Sequence, residues 1–137
     1  LYMKGVCIMA KNESAENYLE TILILNKKSP GEVRPVDVAN HLGITKPSVT
    51  RAMTELEKDG HITRNEKGRL LLTESGRKIA ENVYEKHQVI TKLFAKCANV
   101  SEETAESDAC KVEHVISEET FKGIKSYLDA MSGIGEG

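Results

Sequence analysis

A chain of 137 residues with 39% hydrophobic and 29% charged residues suits one compact globular domain or two small ones. No apolar run approaches the roughly 18 residues that a helix needs to cross a bilayer, which argues against a transmembrane helix. Three cysteines at irregular spacings do not form a disulfide framework, and no secretion signal is recognisable, so we expect a cytoplasmic protein.

The net charge of −2 hides an asymmetry along the chain. Residues 1–80 carry 13 Lys and Arg against 10 Asp and Glu, a balance of +3, whereas residues 81–137 carry 6 against 11, a balance of −5. A mildly basic front half suits contact with nucleic acid, and an acidic back half suits a bound cation. Asymmetries of this size are also common on solvated surfaces, so charge alone supports this interpretation only weakly.

Hydrophobic spacing predicts four segments in the front half of the chain. A first helix over residues 14–25 begins at a serine cap, and a loop with two prolines and a glycine covers residues 26–35. A short helix over residues 36–42 is ended by Gly43, which can adopt a positive φ. The next helix, over residues 45–59, begins at a threonine cap and has a proline in its first turn.

The period then changes to that of short strands. Residues 61–64 and 69–73 are predicted strands joined by a four-residue turn that ends in glycine. A long helix follows to about Cys97, and two further helices begin after serine caps at Ser101 and Ser117.

The order helix, glycine turn, helix and hairpin over residues 35–73 is typical of a winged helix-turn-helix. The second helix of this motif enters the major groove, and here its start offers hydroxyls, backbone amides and two cations, with no acid before Glu55. The alternative is a solvated helix followed by an ordinary hairpin, but caps, turns and basic residues together favour DNA binding. The predicted DNA-contacting residues are Thr45, Lys46, Pro47, Ser48, Thr50 and Arg51 on the helix and Arg64, Lys67 and Arg69 on the hairpin.

In the back half, a segment of five residues contains three side chains that can bind a metal. On a helix, Cys110, Glu113 and His114 would occupy positions i, i+3 and i+4 and share a face. A thiolate, a carboxylate and an imidazole suit a divalent transition metal. Singly, His114 is more often a core histidine and Cys110 a small buried hydrophobe, so the prediction depends on their joint placement. Residues that could complete an octahedral shell are His87, Asn17 and Glu20.

Five segments carry a more specific pattern: Asn-Tyr-Leu-Glu at 17–20, Val-Ala-Asn-His-Leu at 38–42, Pro-Ser-Val-Thr at 47–50, Leu-Thr-Glu-Ser-Gly at 72–76, and Cys-Lys-Val-Glu-His-Val-Ile-Ser at 110–117. Together they resemble the DtxR/MntR family of iron- or manganese-dependent repressors, over about residues 14–128. The resemblance implies a winged-helix domain, a helical dimerisation domain and a metal site that controls operator binding. On this resemblance we expect the two-domain form, without the SH3-like third domain of larger members.

The resemblance also assigns expected ligands. Glu113 and His114 match ligands in both branches of the family, and His87 aligns with a ligand that both branches share. Cys110 matches the iron-type branch, where the manganese-type branch has a carboxylate, whereas Glu20 matches a ligand of the manganese-type branch. The implied donor set therefore combines features of the two branches.

Three positions depart from the family pattern. Asn17 stands where manganese-type members have aspartate and iron-type members have methionine. Glu106 aligns with a histidine of an ancillary metal site, and Thr91 stands where a second ancillary carboxylate is expected. The resemblance therefore carries Asn17 and Glu106 as ligand candidates while leaving the ancillary site incomplete.

From these observations we expect a mainly α fold with a small β-hairpin wing. A winged helix-turn-helix domain would cover residues 11–76, and a helical metal-binding and dimerisation domain residues 77–131. The expected function is that of a repressor rather than an enzyme, which binds operator DNA as a homodimer when loaded with Fe(II) or Mn(II). It would control genes of metal homeostasis and need neither a membrane nor an organic substrate.

Two alternatives use the same residues differently. A winged-helix regulator of the MarR kind would sense an organic ligand or the oxidation of Cys110, and it would respond to peroxide but not to chelators. A metal-dependent hydrolase could employ the same ligands. The hydrolase is disfavoured because the sequence has no nucleophile elbow, phosphate-binding loop or H-E-x-x-H motif.

Overall fold

The computed structural model describes residues 11–136, and its mainly helical fold with one small hairpin confirms the predicted fold class. Two compact units comprise residues 11–84 and residues 85–136, with the boundary inside the fourth helix. The helices are α1 Lys11–Lys28, α2 Pro35–Leu42, α3 Lys46–Lys58, α4 Glu74–Cys97, α5 Glu102–Val112 and α6 Glu118–Glu136, and the strands are β1 Ile62–Arg64 and β2 Leu70–Leu72.

In the first unit, the predicted signals that end α2 and begin α3 are confirmed. Gly43 adopts φ 70° and its amide donates to the carbonyl of Ala39, which closes α2. The Thr45 hydroxyl then accepts a hydrogen bond from the Ser48 amide at 3.4 Å, which caps α3. The two helices bury the apolar side chains of Val38, Ala39, Leu42, Val49, Met53 and Leu56.

The first helix begins earlier and ends later than the sequence pattern indicates. The predicted cap at Ser14 is wrong because α1 already begins at Lys11, and the helix continues to Lys28 rather than to residue 25. Lysine and glutamate are good helix formers, so these polar residues extend the helix beyond its apolar stripe. The loop before α2 is correspondingly shortened to residues 29–34.

The hairpin lies next to the loop that precedes α2. Ile62 pairs with Leu72 and Arg64 with Leu70 in antiparallel register, and Gly68 supplies a positive φ of 79° in the turn. The Leu70 amide also donates to the carbonyl of Val33 at 2.8 Å, so the loop adds a backbone hydrogen bond to the outer side of β2. The wing is therefore attached to the body of its own unit.

The start of α4 passes very close to the residue before β1. The Thr73 hydroxyl accepts a hydrogen bond from the Gly76 amide at 3.2 Å, as predicted for a cap. A Cβ atom at Gly76 would lie 2.0 Å from the carbonyl oxygen of His61, which is backbone and cannot rotate away. Only glycine fits here without a shift of the chain.

We predict that Gly76→Ala destabilises the protein by about 2 kcal/mol or more, because this overlap forces the backbone to move. The matched control is Gly123→Ala on α6, where an added Cβ meets nothing within 4 Å. That substitution should be neutral or stabilising by up to about 1 kcal/mol. Urea unfolding followed by circular dichroism measures both, and equal effects would contradict the packing argument.

The second unit consists of the rest of α4 with α5 and α6. The hydroxyls of Ser101 and Ser117 each accept a hydrogen bond from the amide three residues on, at 3.1 Å, which confirms both predicted caps. Lys86 donates to Glu118 at 2.6 Å, and this hydrogen bond holds the pKa of the Glu118 carboxyl below its ordinary value. A second ion pair joins Lys125 of α6 to Glu85 of α4. The start of α6 is thus attached to α4 beside His87.

Candidate metal centre

His87 is the centre of a buried polar cluster within the second unit. Its side chain is 8% exposed, and its Nδ1 lies 2.9 Å from Oε2 of Glu113, so an Nδ1 proton can be donated to that carboxylate. Its other nitrogen, Nε2, lies 3.7 Å from Oε2 of Glu106. The imidazole therefore has a carboxylate near each of its two nitrogens.

The end of α5 completes the cluster. The helix ends at Val112, with Glu113 as its C-cap, and His114 lies in the following turn. The predicted helix that carries Cys110, Glu113 and His114 thus ends before two of them, although Glu113 keeps a helical backbone and its amide donates to the Ala109 carbonyl at 2.9 Å. The turn nevertheless brings Nε2 of His114 to 3.4 Å from Oε1 of Glu113, with both side chains fully buried.

The electrostatics of this cluster suit a divalent cation. Two carboxylates and two imidazoles lie in one region, and the Glu113 side chain has no exposed surface. A buried carboxylate is costly unless positive charge or hydrogen bonds compensate it. Nitrogen and oxygen donors of this kind are the ligands that Fe(II) and Mn(II) accept. The residues present therefore fit a transition metal of this class.

Cys110 is buried on α5, one turn after Glu106. The structure has this cysteine in a disulfide bond, so it would have to be reduced before its sulfur could act as a thiolate ligand. Thr91, one turn after His87, carries a hydroxyl rather than the carboxylate of the family's ancillary site. The structure thus brings together His87, Glu106, Glu113 and His114 within the second unit, and places Cys110 on the same helix as Glu106.

The two remaining ligand candidates lie on α1, in the first unit. Asn17 is 1% exposed and Glu20 is 0% exposed. Full burial of a glutamate is rare without a compensating partner, which distinguishes Glu20 from an ordinary solvated residue. The sequence pattern alone could not establish this, because Glu20 shares its helix with other acidic residues.

The predicted DNA-contacting side chains lie on one exposed end of α3. Thr45, Lys46, Ser48, Thr50 and Arg51 are all exposed, and the first turn of α3 contains no acid. Pro47, also in that turn, is likewise exposed. The arrangement leaves the helix N-terminus, its hydroxyls and its cations open to a phosphate-bearing partner.

The wing cations show a feature that the sequence did not reveal. Arg64 pairs with Glu57 of α3, while Lys67 and Arg69 both pair with Glu32 of the loop before α2. These carboxylates are 7 to 37 positions away along the chain, so no local pattern could identify them.

Within residues 11–136, no helix is both long enough and apolar enough to cross a membrane.

Comparison with known proteins places the chain in a family. Residues 12–70 match the model described as iron dependent repressor, N-terminal DNA binding domain. Residues 73–132 match the model described as iron dependent repressor, metal binding and dimerisation domain. The transcriptional regulator MntR of Escherichia coli O157:H7 is 33% identical over 117 residues, which cover 85% of this chain and 74% of that protein.

More distant relatives agree. An uncharacterised helix-turn-helix transcriptional regulator of Methanocaldococcus jannaschii is 28% identical over 118 residues, covering 86% of this chain and 94% of that protein. A solved manganese-dependent transcriptional repressor in complex with manganese superposes with a TM-score of 0.78 at 21% identity, covering 84% of this chain and 52% of that one. The chain spans about half the length of that structure, and the likeness supports the fold. The chain belongs to the iron-dependent repressor family of metal-dependent transcriptional regulators.

Proposed function

We propose that this protein is a cytoplasmic homodimeric repressor that binds operator DNA when loaded with Fe(II) or Mn(II). The single observation that carries the proposal is the buried cluster around His87, which has a carboxylate near each imidazole nitrogen. A neutral imidazole has one N–H donor and one acceptor nitrogen and can donate to only one of these carboxylates, so a bound cation would compensate the charge of the second. Genes of metal homeostasis are the expected targets of such a regulator.

The proposed ligands come from three helices and the turn after α5. Glutamate and histidine side chains of the cluster would supply hard and borderline donors, and Cys110, once reduced, a soft donor. Because elements that share one ion are restrained together, binding would also restrain α1, which belongs to the unit with the DNA-contacting helix. The proposed ligand set is Asn17, Glu20, His87, Glu106, Cys110, Glu113 and His114.

The proposed DNA contacts are those of α3 and the wing. The N-terminus of α3 would enter the major groove, and Arg64, Lys67 and Arg69 would contact the phosphate backbone beside it. Two such units related by a dyad would contact a pseudo-palindrome. Because allosteric coupling is a difference in binding free energy, the ion can act only if it favours the DNA-binding arrangement, typically by about 1–3 kcal/mol.

Selection of duplexes from a random pool tests this function. With Mn(II) or anaerobic Fe(II), the selected sequences should converge on two half-sites about one helical turn, roughly 34 Å, apart. Their binding should be lost with a chelator and restored by metal. Loss of binding with peroxide but not with chelator would favour oxidation of Cys110 instead. A reductant must be present throughout the metal series.

A prediction on assembly follows from the apolar side chains that the second unit leaves exposed. Val115, Tyr127 and Met131 are 71%, 57% and 38% exposed, whereas Phe121 and Leu128 of α6 are buried in the monomer. We expect a twofold homodimer at micromolar concentration, measurable by light scattering with and without metal. A monomer under both conditions would contradict the assembly.

A second prediction concerns metal selectivity. Cys110→Glu replaces a soft donor with a hard one, and Asn17→Asp adds a negative charge at a buried position. Each change should shift activation of DNA binding towards Mn(II) over Co(II) or Zn(II), by about tenfold in the ratio of activating concentrations. Titrations of Mn(II), Co(II) and Zn(II) against DNA binding measure this ratio. If neither change alters the order of the ions, Cys110 and Asn17 pack beside the site without binding metal.

A further inference from the structure

Each basic side chain of the wing faces a carboxylate. Arg64 Nε lies 3.4 Å from Glu57, and Glu32 takes the other two, with Lys67 Nζ and Arg69 Nε both 3.6 Å from its carboxylate oxygens. One carboxylate thus lies between two of the three cations that the wing would present to DNA.

The position of Glu32 is set by hydrogen bonds on both sides of it. The Asn65 side-chain amide, in the wing, donates to the Gly31 carbonyl at 3.0 Å. The Leu70 amide, also in the wing, donates to the Val33 carbonyl at 2.8 Å. Because both neighbours of Glu32 are attached to the wing, its carboxylate is held beside the hairpin.

The orientation of Arg69 is also set. Its Nη1 donates to the Lys67 carbonyl at 3.3 Å while its Nε faces Glu32. The side chains of Glu32 and Lys67 remain 52% and 69% exposed, so solvent and a DNA phosphate can reach this pair, whereas Arg69 is 31% exposed with its Nε buried. Exposed ion pairs are weak, and a phosphate can displace them.

We propose that Glu32 is a built-in competitor of the DNA phosphates for Lys67 and Arg69. The inference rests on the proposed function, because it assumes that the wing contacts the DNA backbone. To contact a phosphate, Lys67 and Arg69 would have to exchange the Glu32 carboxylate for a phosphate oxygen. The loss of these ion pairs lowers the affinity for DNA of every sequence equally. Non-specific binding comes almost entirely from phosphate contacts, so Glu32 limits the association of the protein with DNA outside its operators.

The test is Glu32→Gln, which keeps the size of the side chain and removes its charge. The matched control is Glu66→Gln, since Glu66 lies in the hairpin turn beside Lys67, is exposed, and forms no ion pair within the described part of the chain. Anisotropy of a labelled duplex of mixed sequence gives the affinity at several salt concentrations. Glu32→Gln should raise affinity by about twofold to twentyfold, from two exposed pairs. Glu66→Gln should raise it less.

A cycle with Lys67→Ala/Arg69→Ala separates the possible failures. In that background the effect of Glu32→Gln should fall to that of Glu66→Gln, because the paired cations are gone. A full effect in that background, or equal effects of the two glutamines in the wild-type background, would overturn the competitor role. If Lys67→Ala/Arg69→Ala leaves DNA affinity unchanged, the proposed wing contact itself fails. Circular dichroism of each variant confirms that the comparison is between folded proteins.

Discussion

Replacing Glu113 with glutamine should abolish metal-stimulated DNA binding while the protein stays folded. The amide keeps the shape of the side chain and can still accept a hydrogen bond from His87 Nδ1, which lies 2.9 Å from the carboxylate. It loses the negative charge that a divalent cation requires. Residues that hydrogen-bond to metal ligands contribute about 10–100-fold to metal affinity. Loss of a ligand itself should therefore lower the metal affinity by more than about 100-fold. Calorimetric titration with Mn(II) measures the affinity.

The control for this variant is Glu103→Gln on α5, the helix that Glu113 caps. Glu103 is exposed in the first turn of α5, so its loss removes an equal charge away from the cluster. Metal affinity and metal-stimulated DNA binding should be unchanged in this control. His87→Ala and His114→Ala should act like Glu113→Gln. If Glu113→Gln retains the metal response of the wild type, Glu113 is a structural partner of His87 and the metal binds elsewhere.

The second large effect is expected at the start of α3. Lys46→Ala and Arg51→Ala each remove an exposed cation near the helix N-terminus, and each should lower DNA affinity by more than tenfold at low salt, since charged hydrogen bonds contribute about 1.5–3 kcal/mol. Each lost phosphate contact should also reduce the slope of log affinity against log salt by about 0.9. Anisotropy titrations over a salt series give both quantities.

Lys58→Ala is the matched control for the two α3 variants. Lys58 is exposed in the last turn of the same helix, at the opposite end from the proposed groove contacts. Lys58→Ala changes the net charge by the same amount as Lys46→Ala or Arg51→Ala. The slope of log affinity against log salt should nevertheless equal that of the wild type. Unchanged affinity in both Lys46→Ala and Arg51→Ala, or an equal loss in Lys58→Ala, would mean that α3 does not enter the groove as proposed.

Local chemistry explains which elements were predictable. Gly43, Thr45 and Thr73 end or begin helices through their own backbone or hydroxyl groups, so a few neighbouring residues are enough to locate them. The start of α1 was not predicted because polar helix formers extend it without an apolar pattern. The end of α5 at Val112 was missed for a related reason, since a helical period continues through residues that lie in a turn.

Tertiary contacts explain what the sequence could not show. His87 and Glu113 are 26 positions apart, so no spacing along the chain predicts their 2.9 Å contact, although both are expected ligands. The full burial of Glu20 likewise depends on tertiary packing, which the sequence pattern of α1 does not predict. Glu32 was not recognised at all, because its partners Lys67 and Arg69 are 35 and 37 positions away.

In the proposed mechanism, metal binding and DNA binding are coupled in this chain. The most direct test is a calorimetric Mn(II) titration of the reduced protein, with and without a selected operator duplex. Because coupling is reciprocal, DNA should tighten metal binding by the same factor by which metal tightens DNA binding, about 5–150-fold. Equal metal affinity with and without the duplex would rule out this coupling.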